Sequence, residues 1–186
     1  MPSVAQLQAE LNRLKYRNRF SRVMRSTVYA LIIVAAIAVL VATLWMPVLQ
    51  IHGSSMTPNV SDGDIILTVK GSEAKPGEII AFYYNNKILV KRVIALPGDW
   101  VDIGEDGSVY VNSVLQQEPY LREKALGQCD IVFPYQVPAA SYFVLGDNRS
   151  VSVDSRHTAV GCILEEQIVG KIVFRVWPLS EFGLVE

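Results

Sequence analysis

"IIAFYYNNKILVKRVIAL", Ile79 to Leu96, reads as two apolar strands hinged at Asn85-Asn86. Asparagine tolerates the left-handed backbone that a tight hairpin turn requires, so the pair marks the turn. Side chains alternate between the two faces of a strand. One of Lys91 and Arg92 therefore faces the same side as Leu89 and Val93, and the other faces the opposite side. A charge is aimed at apolar surface. If that charge is a lysine, lost hydration lowers its pKa toward the neutral amine, and a neutral amine beside a hydroxyl is a general base. The strand is equally compatible with an edge pair whose charges reach water.

Working outward, the strand pattern continues. "DIILTVK" (64–70) leads into the turn "GSEAKPGE", and Pro97-Gly98-Asp99 ends the hairpin. "WVDIGEDGSVYVN" (100–112) repeats the hairpin design with Asp106-Gly107 at its tip. A polar, irregular stretch follows to about Pro138, and "SYFVLGD" and "IVGKIVFRVWPL" supply further strands. No helical period of any length appears here. Residues 50–183 are therefore expected to be mainly β, an antiparallel sheet or barrel-like domain with about 99–138 as an inserted β-hairpin region.

The N-terminal part is different. No charged residue occurs from Ser26 to Ile51, and "VYALIIVAAIAVLVATLWM" (28–46) is long enough as a helix to cross a hydrocarbon layer of about 30 Å. Tyr29 and Trp45 sit where interfacial aromatics belong, and Pro47 ends the run. The run is too long for a cleaved leader, and Trp45-Met46-Pro47 is a poor cleavage site. Residues 26–49 are thus expected to be a retained transmembrane anchor. Apolar residues make up 51% of the chain, and this one segment concentrates the apolarity that lifts the mean hydropathy to +0.27.

Charge gives an orientation. Arg13, Lys15, Arg17, Arg19, Arg22 and Arg25 precede the span against Glu10 alone, whereas the chain beyond it is net acidic. The positive flank is expected in the cytoplasm and everything from about Gln50 onward outside. Val4, Leu7, Leu11 and Leu14 recur at helical spacing, so residues 1–25 read as a basic amphipathic helix. Anionic lipid accounts for its charge, and nothing suggests nucleic-acid binding. Cys129 and Cys162 could pair in an oxidising compartment, or Cys162 could be a small buried residue. With only His52 and His157 and no Cys/His spacing, no metal site and no cofactor are expected.

Three clusters carry chemistry: "SSMTP" (54–58), "VKRVIALPGD" (90–99) and "GDNRSVSVDSR" (146–156). Alone, each reads as turn residues, an edge strand, or a loop with a surface ion pair. Together, in this order behind an anchor, they resemble the bacterial type I signal peptidases, membrane-anchored serine proteases of peptidase family S26 that use a Ser-Lys dyad. Ser-Met-x-Pro, Lys-Arg-Val-x-x-Leu-Pro-Gly-Asp and Gly-Asp-Asn-Arg-x-x-Ser-x-Asp-Ser-Arg are all present. "DGDIIL" and "GKIVFRVWPL" fit the flanking segments.

The resemblance implies Ser55 as nucleophile, with its backbone N–H in the oxyanion hole, and Lys91 as general base. It implies Ser152 as the hydroxyl that orients the lysine. Asp154 and Arg156 become a buried ion pair supporting the site, Asp147, Asn148 and Arg149 the turn before it, and Met56 a packing residue near the lysine. It further implies removal of signal peptides from exported preproteins at the cell membrane after small residues, with the bilayer and the secretion translocase as partners. The chain departs from the pattern at Gly53, Asn59, Ala95, Ser150 and Val151, none of which removes a reacting group. A self-cleaving Ser-Lys regulator carries a DNA-binding domain where this chain has an anchor. A triad of Ser55, His157 and Asp154 is a further enzyme reading. The non-enzyme alternative is an anchored β-domain for envelope protein interactions, which would have no need of Ser55, Lys91 and Ser152 together.

Overall fold

The computed structural model describes residues 3–71 and 73–185. Its first element is one helix, α1 (Val4–Trp45), which runs through the basic N-terminal stretch and the apolar run. Residues 15–45 are long and apolar enough to cross a membrane by length and composition, and none of that apolar window is buried within the protein. Val4 and Leu7 are exposed; the side chains of Leu11 and Leu14, expected on the same stripe, lie outside the described residues. The helix stops at Trp45, just before the Pro47 that ends the apolar run. Pro47 cannot donate a helical hydrogen bond, and Val48–Gln50 already belongs to a sheet.

From Trp45 onward the chain forms its own unit, built from twelve short strands among the described residues. They are β1 (Val48–Gln50), β2 (Ile65–Val69), β3 (Ile79–Tyr84), β4 (Lys87–Ala95), β5 (Trp100–Ile103), β6 (Val109–Val111), β7 (Val114–Leu115), β8 (Tyr135–Gln136), β9 (Ser141–Leu145), β10 (Ile163–Leu164), β11 (Ile168–Trp177) and β12 (Gly183–Leu184). The main sheet has the order β1-β2-β11-β3-β4-β9-β10, with β12 also on β11, and all its pairings are antiparallel. A second sheet, β7-β6-β5-β8, occupies the inserted region.

Local chemistry explains the register. Asn85 and Asn86 both take positive φ, 43° and 63°, and close the β3–β4 hairpin with Tyr84 opposite Lys87. Asn112 and Ser113 do the same between β6 and β7. Burial along β4 does not alternate: Lys87 and Ile88 are exposed and Leu89 and Val90 half-buried. From Lys91 onward every residue is buried, and from Arg92 onward β4 is flanked by both β3 and β9 and covered on both faces. Ile94, Phe143 and Leu145 pack with Val101 and Val109 of the inserted sheet, while Val93 and Val144 pack with Ile80 and Phe82 on the other side. A third cluster, Ile51, Met56, Val60, Ile66, Ile79 and Ile172, lies directly beneath the Ser55 loop.

Candidate active site

The loop after β1 is closed at its base: Ile51 N–H donates to the Asp64 carbonyl (2.8 Å) and Gly63 N–H to the Ile51 carbonyl (3.0 Å). Within it, Gly53 adopts φ +98°, where a side chain would be strained, and its N–H donates to Asp62 Oδ1 at 2.7 Å. The Thr57 and Val60 amides are satisfied by the Ser54 and Met56 carbonyls. Met56 is buried in the apolar cluster below. Burial pins Met56, and the adjacent Ser55 is left half-exposed at the surface of the loop.

Lys91 reaches that serine. Its side chain is only 3% exposed, and Nζ donates to Ser55 Oγ at 2.6 Å. Burial pushes the amine down from its ordinary 10.5 to about 8; Asp154 and Asp147 oppose the fall and Arg156 adds to it. At neutral pH a useful fraction is therefore the free amine.

Arg92 does not reach water as the alternating pattern allowed. It is as buried as Lys91, at 2%. On its side of the strand, Nε and Nη2 hold the Asp147 carboxylate as a two-pronged pair (2.8 and 2.7 Å), Nη1 donates to the Gly77 carbonyl (2.6 Å), and the guanidinium lies 4.0 Å from the centre of the Tyr120 ring. A buried charge needs such partners. Asp147 is thus the counter-ion of Arg92 as well as a turn residue.

The third cluster wraps the same place. Asp154 and Arg156 are fully buried and joined twice, Arg156 Nε to Oδ1 and Nη2 to Oδ2, both at 2.8 Å. Asp154 Oδ2 also accepts Gly146 N–H at 3.0 Å. Arg156 donates onward to the carbonyls of Leu126 (2.5 Å) and Arg149 (3.0 Å), which ties the inserted region to the loop. Ser152 is buried, and its hydroxyl makes no hydrogen bond among the described residues. It rests against Gly146: a Cβ there would stand 2.2 Å from Ser152 Oγ and 2.6 Å from the Ser55 carbonyl oxygen. Asn148 N–H donates to that same Ser55 carbonyl (3.0 Å). The Ser152 loop and the Ser55 loop are therefore one packed unit.

Beside Ser55 and Lys91 opens a cavity of about 530 Å³ with Leu49 to Ile51 on one side and Lys87 to Val90 on the other. Among the described residues β1 pairs only with β2, and β4 acquires its second neighbour, β9, only at Arg92. Two strand edges thus border the cavity without strand partners.

The His157 triad is not assembled. Asp154 is committed to Arg156, and His157 lies 3.5 Å from Asp130, whose carboxylate also accepts from Thr158. Cys129 and Cys162 are both free thiols, and burial pushes Cys162 up to about 11. Sequence reading missed Glu118 and Tyr120, and met Asn59 only as a departure from the family pattern. Glu118 pairs with Arg149, both side chains at 1% exposure, and Asn59 Nδ2 donates to Asp147 Oδ2 (2.7 Å) and the Tyr120 carbonyl (2.9 Å).

The profile of the family described as signal peptidase, peptidase S26, matches residues 24–177. The chain is 43% identical over 152 residues to signal peptidase IB of Staphylococcus aureus (strain Mu50 / ATCC 700699), covering 71% of this chain and 78% of that protein. It is 36% identical over 163 residues to signal peptidase I of Bacillus amyloliquefaciens, covering 82% and 87%. A crystal structure of a signal peptidase I from Enterococcus faecalis V583 aligns with a TM-score of 0.46 at 31% identity, over 54% of this chain and 97% of that one.

Proposed function

This chain belongs to the signal peptidase family of peptidase S26, and on that premise we propose that it is a membrane-anchored serine endopeptidase that removes N-terminal signal peptides from exported preproteins. Ser55 is the nucleophile and Lys91 the general base. The observation that supports this assignment most strongly is the 2.6 Å contact between a half-exposed serine hydroxyl and a buried amine whose pKa has fallen to about 8.

The chemistry follows from those two groups. Neutral Lys91 takes the Ser55 proton as Oγ bonds to the scissile carbonyl carbon. The backbone N–H of Ser55 donates to the developing oxyanion, a contribution of about 3–4 kcal/mol per donor in comparable sites. Collapse of the tetrahedral species breaks the C–N bond, and Lys91 returns the proton to the leaving amine. Lys91 then deprotonates a water that attacks the acyl carbon, and Ser55 leaves with its proton restored. Ser152 orients the amine as it cycles between its two protonation states, and Asp154 with Arg156 fixes the loop that carries Ser152.

The substrate lies extended in the cavity beside Ser55, adding its backbone to the strand edges of β1 and β4. The cut falls after small residues, of the Ala-X-Ala kind, as the resemblance to the signal peptidases implies. The cell membrane holds the protein through α1, with the N-terminal basic flank cytoplasmic, the β unit outside and the bilayer and secretion translocase as partners. Preproteins are themselves held at the membrane by an apolar segment, and co-tethering raises their local concentration without any added contact.

The test is cleavage of a preprotein by the full chain in detergent, with the cut mapped by mass spectrometry. Release of a mature N-terminus immediately after a small residue supports the proposal. No cleavage by the folded protein defeats it.

A further inference from the structure

Glu118 is a carboxylate in a polar stretch that sequence marks as plain loop, yet its side chain is buried to 1% exposure. It meets both Nη atoms of Arg149 and accepts the Tyr120 hydroxyl at 3.0 Å. Arg149 Nε in turn donates to the Gly146 carbonyl at 3.2 Å. Gly146 is the residue against which Ser152 Oγ and the Ser55 carbonyl both rest. Glu118 thus reaches, through one arginine, the surface that sets the spacing of the two serines.

Tyr120 supplies a second arm. Its ring supports the guanidinium of Arg92, the neighbour of Lys91 on β4. Its carbonyl accepts Asn59 Nδ2, the same amide that donates to Asp147. Asn59 lies four residues after Ser55. The stretch 118–120 therefore grips each of the three segments that carry Ser55, Lys91 and Ser152.

Resting on the reading of those three residues given above, we propose that Glu118 and Tyr120 are positioning residues, a strap from the inserted region that holds the nucleophile, base and orienting hydroxyl in register. Filling space would not require ions here. A buried ion pair can usually be replaced by apolar side chains of similar volume without loss of stability, so stability alone gives no reason for one. Fixed geometry does, because a displacement of about 1 Å at reacting groups is worth about 100-fold in rate.

The experiment replaces the pair, Glu118→Leu with Arg149→Met, in the full chain and measures preprotein cleavage beside thermal melting. A melting temperature within a few degrees of the parent, kcat lowered about tenfold or more and KM within about threefold is the expected result. A folded double variant with parental kcat overturns the inference. Should the double variant fail to fold, Tyr120→Leu against Tyr120→Phe decides. Loss of the ring should lower kcat about tenfold, loss of the hydroxyl alone less than threefold; parental kcat in both variants overturns the inference. Absence of cleavage by the parent chain would instead defeat the functional reading itself, so the two failures are distinct.

Discussion

Ser55 Oγ and Lys91 Nζ come from segments 36 residues apart and meet at 2.6 Å. Two separate physical causes bring them together. Burial of Met56 pins the loop that presents the serine, and the passage of β4 into the interior at Lys91, opposite Ile80 of β3, draws the lysine out of water. The same burial that fixes the amine lowers its pKa, so position and reactivity have one origin.

The pH dependence follows in sign. Lys91 must be neutral to accept the Ser55 proton, and burial has lowered it to about 8. The value of kcat/KM should rise with pH through a midpoint near 8 and level off above it. Below the midpoint it should fall about tenfold per pH unit. Initial rates of preprotein cleavage across pH 6 to 10 check this; a flat profile contradicts it.

Asp154→Asn should affect stability and pH profile together. It leaves the buried Arg156 without its counter-charge, a loss of about 3–5 kcal/mol, which corresponds to a fall in melting temperature of roughly 10 °C. The Asp154 carboxylate also favours the ammonium form of Lys91. Removing that charge should shift the midpoint of the pH profile of any residual activity to lower pH.

Ser152→Ala should separate activity from stability. The hydroxyl is buried without a hydrogen bond, so its removal breaks none. Stability should stay within about 1 kcal/mol of the parent, while the orienting role proposed for Ser152 predicts that cleavage falls about tenfold or more.

Gly146→Ala should be among the most damaging small changes. The new Cβ would stand 2.2 Å from Ser152 Oγ and 2.6 Å from the Ser55 carbonyl, forcing the two loops apart. A loss of kcat of about 100-fold is expected even where circular dichroism shows a retained fold.

Much of this was legible in the sequence because strands have a short, strict period. The Asn85-Asn86 hairpin, the inserted sheet and a charge aimed into the β4 interior all follow from alternation and turn chemistry. Alternation cannot say whether the second face of a strand is also covered. Alternation therefore aims only one of Lys91 and Arg92 at apolar surface, whereas both are buried and Asp147 and Tyr120 enclose Arg92. Glu118 and Tyr120 escaped because the stretch that holds them has no period. Their partners Arg149 and Arg92 lie 31 and 28 residues away on other segments. Pro47 marks the end of the apolar run, and the helix ends two residues before it, at Trp45.

The most direct test of the Ser55–Lys91 assignment is preprotein cleavage in detergent by the full chain bearing Ser55→Ala or Lys91→Ala, each checked for its fold by circular dichroism. Both substitutions should abolish cleavage while the β unit stays folded. Parental activity in either folded variant would contradict the assignment.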